Sequence, residues 1–90
     1  MKYRSRMDIT SAILEIAEEG AIKTKIMYRA FLSFPQLKEY LAVLTDQGLL
    51  EHSKEERLFF TTEKGRKFLK MYKEVDRMIP QSNMLTKTKM

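Results

Sequence analysis

Ninety residues make one domain, and a chain of this size buries only about 60 to 65 per cent of the surface its unfolded form exposes, so its margin as a monomer is thin. The absence of cysteine excludes disulfides and thiolate metal sites, and the basic start Lys2, Arg4, Arg6 leads into an acid-interrupted amphipathic segment with neither a signal peptide's apolar stretch nor a membrane span, so a cytoplasmic protein is expected. Seventeen Lys and Arg against twelve Asp and Glu give a formal charge of +5, which favours polyanionic partners through counterion release.

The charge is also segregated. No acid lies between Ala21 and Lys38, a stretch that carries Lys23, Lys25 and Arg29. A second basic group, Lys64, Arg66, Lys67, Lys70 and Lys73, lies towards the end, while the acids gather around Glu15 to Glu19 and Glu51 to Glu56. A one-sided binding face requires such a distribution.

In chain order, Ile9, Ala12, Ile13 and Ile16 stand at helical spacing and predict a first helix over 8–18, ended by Gly20. Ala21 and Ile22 make a very short extended piece. Residues 23–31 read as a second helix with Ile26, Met27 and Ala30 inward and the i,i+4 pair Lys25 and Arg29 outward. Ser33 then starts a third helix over about 34–46, with Gln36 as its capping-box partner and Pro35 in the first turn. Leu37, Tyr40, Leu41 and Leu44 form its inner face, and Gln47-Gly48 closes it.

Residues 49–53 and 57–61 flank the charged tip Lys54-Glu55-Glu56 as a β-hairpin. Thr61 or Thr62 opens a last helix that runs through Gly65 to Ile79 and stops at Pro80, which leaves 80–90 as a flexible tail. The expected unit is therefore one α+β, mainly α domain over 1–79, with no internal repeat.

Helix, short strand, helix, helix, hairpin, helix is the winged helix-turn-helix order, in which the third helix enters the major groove and the hairpin touches backbone or minor groove. The stretches Lys23-Thr24-Lys25-Ile26-Met27-Tyr28, Leu32-Ser33-Phe34-Pro35-Gln36-Leu37, Gly48-Leu49-Leu50-Glu51 and Thr61-Thr62-Glu63-Lys64-Gly65 resemble the small archaeal winged-helix transcription regulators, over roughly residues 4–79. The resemblance implies a DNA-binding module whose extended last helix forms an antiparallel coiled coil with a second copy, as in the chromatin-type members. The chain departs from the family before Gln36, where Pro35 replaces the usual aromatic or small residue; Pro35 is carried as a DNA-binding candidate in the first turn.

Phosphate contacts position such a module and base contacts specify it. The phosphate candidates are Lys23, Thr24, Lys25, Arg29, Ser33, and Lys54 or Arg57 on the wing. For base edges, Lys38 can reach guanine, and Gln36 can address adenine bidentately or serve only as the cap partner. His52 has no companion ligands, and the three glycines are too dispersed for a phosphate cradle. No enzyme, cofactor, metal or small-molecule ligand is therefore expected.

Phe68, Tyr72, Val75 and Ile79 follow a 4-3-4 spacing on one face of the last helix, with Met78 beside them. They form the expected homodimer seam, unless the stripe packs onto the first helix of its own chain. The expected function is a dimeric transcription regulator acting on double-stranded DNA. The alternatives are a sequence-tolerant architectural chromatin protein and a winged-helix protein-interaction module.

Overall fold

The computed structural model describes residues 4–78; Lys2, Ile79, the Pro80 stop and the expected 80–90 tail lie outside them. The elements are α1 (Arg6–Ile16), α2 (Lys23–Arg29), α3 (Phe34–Asp46), β1 (Leu50–Ser53), β2 (Leu58–Thr61) and α4 (Glu63–Met78). The expected winged helix-turn-helix order is the observed one, with local differences at the element ends.

Helix α1 begins two residues before Asp8 because Asp8 closes a capping box. Its backbone N–H donates to the Ser5 hydroxyl at 3.1 Å, and its carboxylate accepts from the Ser5 N–H at 3.1 Å. Gly20 closes the following turn at φ +97°, and a Cβ there would lie 2.7 Å from a Phe60 ring carbon. Helix α2 is shorter than its apolar pattern predicts, because the backbone turns left-handed at Phe31.

The box predicted for α3 is present: Gln36 N–H donates to the Ser33 hydroxyl at 3.3 Å, and Ser33 N–H donates to Gln36 Oε1 at 3.0 Å. Strands β1 and β2 pair antiparallel, with Leu50 opposite Thr61 and His52 opposite Phe59. Ala21 extends the sheet by one residue, exchanging backbone hydrogen bonds of 3.0 and 2.8 Å with Phe59. Without a glycine at the hairpin tip, Arg57 itself takes φ +59° and belongs to the turn instead of the strand, while Ser53 Oγ accepts from Glu56 N–H at 3.3 Å.

The core draws Ile9, Ile13 and Leu14 from α1, Ile26 from α2, Leu37, Leu41 and Leu44 from α3, Leu50 and Phe59 from the hairpin, and Leu69 from α4. Burying each such large side chain contributes roughly 1.5–3 kcal/mol. Thr62 caps α4 by accepting from Gly65 N–H at 3.1 Å. Gly65 lets that first turn seat against the hairpin base, where a Cβ would come within 2.5 Å of the Leu49 carbonyl oxygen. Helix α4 then packs along α1 and touches β2, while α3 packs on α2 and β1.

Candidate nucleic-acid interface

Between α3 and the hairpin runs an open cleft of about 460 Å³. Lys23 enters it from the start of α2, Lys38, Ala42 and Thr45 from α3, and His52 and Phe59 from the two strands. Two lysines fifteen residues apart in sequence thus share one cleft with a hydroxyl and an imidazole, all partners suited to phosphate and base edges. Asp46 lines the same cleft and sets a local limit on its positive charge.

Thr45 and His52 were not singled out by sequence as site residues, although a signal existed. Positions 38, 42 and 45 have the spacing of one helix face. The register that puts His52 opposite Phe59 also brings it to the cleft, where its ring stacks on Phe59 at 4.2 Å between centroids and 11° between planes.

Thr24, Lys25, Arg29, Pro35, Lys54 and Arg57 are exposed but do not line the cleft; Lys25 and Arg29 lie on α2, Lys54 and Arg57 at the wing tip. The Ser33 hydroxyl and the Gln36 side-chain oxygen are engaged in the cap, with a further bond between them at 3.2 Å. Bidentate adenine recognition uses both ends of a glutamine amide, so Gln36 would have to release its helix cap to perform it. Lys38 Nζ lies 5.6 Å from the Phe34 ring centroid, a cation–π distance that holds its ammonium over the start of α3.

Part of the basic group on α4 serves the fold. Lys64 Nζ donates to the Gln47 carbonyl at 2.7 Å, and the Arg66 guanidinium donates to the Thr61 carbonyl at 3.1 Å. Lys73 pairs with Glu15 of α1 at 3.0 Å. Of the cations of α2, α3 and the wing, Lys23 and Lys38 line the cleft.

The apolar stripe foreseen on α4 divides in two. Phe68 packs against the core, and Tyr72 is half-buried, its hydroxyl donating to the Asp8 carboxylate. That bond holds the Asp8 carboxyl below its ordinary value, helped by the Ser5 N–H, and pushes the Tyr72 phenol up. Val75 and Met78 remain exposed, joined by Met71, so the free stripe is Met71, Val75 and Met78 at i, i+4 and i+7. Among the described residues, no group of three or more His, Asp or Glu side chains is placed to hold a metal ion, and no helix is long and apolar enough to cross a membrane.

A family model described as winged helix-turn-helix matches residues 3–80. MJ0287, an uncharacterized protein of Methanocaldococcus jannaschii, is 38% identical over 65 residues, which cover 71% of this chain and 65% of that protein. This chain therefore spans just under two thirds of the length of that curated relative. Among solved structures, Sso10a-2, a DNA-binding protein from Sulfolobus solfataricus, matches with a TM-score of 0.80 over 96% of this chain and 90% of that one, at 24% identity. At that identity the likeness establishes a shared fold.

Proposed function

The chain belongs to the winged helix-turn-helix family, and from that premise we propose that it binds double-stranded DNA as a homodimer and regulates transcription by occupying its sites. Helix α3 enters the major groove, the β1–β2 hairpin is the wing, and α4 pairs with a second copy. The observation that carries this reading is the convergence of Lys23 and Lys38 on the cleft between α3 and the wing, bordered by an acid-free stretch of chain. Sso10a-2, described as a DNA-binding protein, shares the fold and supports the same reading.

Lys23, Thr24, Lys25, Arg29 and Ser33 contact phosphates beside the major groove, and Lys54 and Arg57 do so from the wing. Lys38, Thr45 and His52 face base edges or the sugar-phosphate wall. The homodimer rests on Met71, Val75 and Met78, an exposed apolar row on a helix whose apolar anchors to its own domain are Leu69, Phe68 and Tyr72. A second copy of α4 covers that row in a self-complementary way.

Sequence-tolerant packaging of DNA is the second reading, favoured by the commitment of the Gln36 oxygen to its helix cap, which withdraws one base reader. Fluorescence anisotropy against random and selected duplexes separates the two. A regulator binds its best site ~10³-fold more tightly than random duplex, whereas a packaging protein stays within about tenfold. The loss of all duplex binding would overturn both.

A further inference from the structure

Three exposed aromatic rings stand where α2 passes into α3: Tyr28 (71% exposed) in α2, Phe31 (80%) in the turn and Phe34 (57%) at the first residue of α3. None of them helps to fill the core. We propose that these rings, flanked by Arg4, Lys25, Arg29 and Lys38, are a stacking platform for the unpaired bases of single-stranded DNA.

The backbone makes the case at Phe31. Helix α2 ends in a Schellman motif: Leu32 N–H donates to the Met27 carbonyl at 2.9 Å and Phe31 N–H to the Tyr28 carbonyl at 3.3 Å. Phe31 therefore stands at the left-handed position, φ +56°, that glycine adopts without strain. Helix α3 ends in the same motif, with Leu49 N–H on the Leu44 carbonyl at 2.9 Å and Gly48 N–H on the Thr45 carbonyl at 3.1 Å, and there the left-handed residue is Gly48.

The chain thus uses glycine at one of two equivalent corners and a solvent-facing phenylalanine at the other. Glycine at position 31 would relieve both the strain and the exposure, so the fold itself gives no reason for the ring. The corner is also held firmly: the Arg4 guanidinium donates to the Phe31 carbonyl at 3.0 Å. An aromatic side chain mounted on a strained, braced corner is the kind of feature that accompanies binding.

Charge selects the occupant. From Ala21 to Lys38 the chain has cations and no acid, and the Lys38 ammonium stands at the Phe34 ring. Nucleic acid offers what this surface matches, flat π-faces joined by phosphates, and base-on-aromatic stacking tolerates any sequence. The bases must be unpaired, because duplex base faces are closed by their neighbours and side chains that wedge duplex steps apart work from the minor groove. The rings lie about the α2–α3 turn, which leads into the major-groove helix α3; this last step rests on the docking proposed above.

The test uses the full chain and its Phe31→Gly variant, which keeps the backbone conformation and so preserves the fold, as a thermal melt by circular dichroism checks. Anisotropy is read with three labelled probes of about 20 nucleotides: oligo-dT, an abasic strand of the same length, and a blunt random duplex. Oligo-dT should bind the parent chain at least about tenfold more tightly than the abasic strand, and Phe31→Gly should remove most of that advantage while changing duplex affinity less than about twofold. The proposal is overturned if oligo-dT and the abasic strand bind alike, if Phe31→Gly leaves oligo-dT binding intact, or if it weakens the duplex equally. A change in the sedimentation of the protein alone would also overturn it, by assigning the rings to a second copy. Phe31-dependent oligo-dT binding without any duplex binding would uphold this site and reject the duplex reading.

Discussion

The Tyr72 hydroxyl donates to the Asp8 carboxylate across 64 residues of sequence, and the other oxygen of that carboxylate accepts the Ser5 N–H that caps α1. One side chain thereby ties the start of the first helix to the third turn of the last. Removing the phenol in Tyr72→Phe should lower stability by about 1–2 kcal/mol, as for a partly exposed hydrogen bond to a charged group, measured by urea denaturation.

The same bond sets a pH window. Asp8 is held below its ordinary 3.8, so its contribution is present above that value and is lost as pH falls through the lowered one. Tyr72 is raised above its ordinary 10.0, so its contribution is present below that value and is lost as pH rises through the raised one. The stability gap between the parent chain and Tyr72→Phe should be flat around neutrality and shrink on both flanks. A gap unchanged down to pH 2 would contradict the assignment of the shift to this pair.

Gly65→Ala should destabilise the domain by about 1–3 kcal/mol through overpacking, although alanine is intrinsically the better helix former. The added Cβ meets the Leu49 carbonyl oxygen and the Thr61 methyl group, neither of which is the far end of a flexible side chain. A thermal melt unchanged or raised relative to the parent would show that the α4–hairpin junction can relax.

Val75→Glu should give a folded monomer. Val75 is exposed in the single chain, while Leu69, Phe68 and Tyr72 keep α4 docked on its own domain, so the charge harms only an interface with a second copy. Sedimentation should show half the parent mass, with duplex affinity reduced. A folded dimer in this variant would remove α4 from the proposed interface.

Duplex binding should weaken with salt at a log–log slope steeper than about −2 per dimer as phosphate contacts release counterions. Lys25→Ala should weaken all duplexes alike and flatten that slope by about 1, whereas Lys38→Ala should relax preference at one position of each half-site by about 1–3 kcal/mol. Uniform loss from both would mean that Lys38 reads no base.

Several features were legible in the sequence because short-range forces decide them. The Ser33–Gln36 box closes within one turn, and the spacing of Leu37, Leu41 and Leu44 selects a buried face whatever covers it. The hairpin followed from two apolar runs about a charged tip. Long-range packing decided the rest. Periodicity treats Phe68, Tyr72 and Val75 as one stripe, and only the packing of α4 onto its own domain, Phe68 on the core and Tyr72 on Asp8 of α1, covers the first two and leaves the third exposed. The cleft that joins Lys23 to Lys38 and His52 exists only once the hairpin folds beside α3, because its walls come from elements whose relative positions no local pattern specifies. At Phe31, local propensity argues against a left-handed backbone, and the two Schellman bonds together with the Arg4 contact hold the residue there nonetheless.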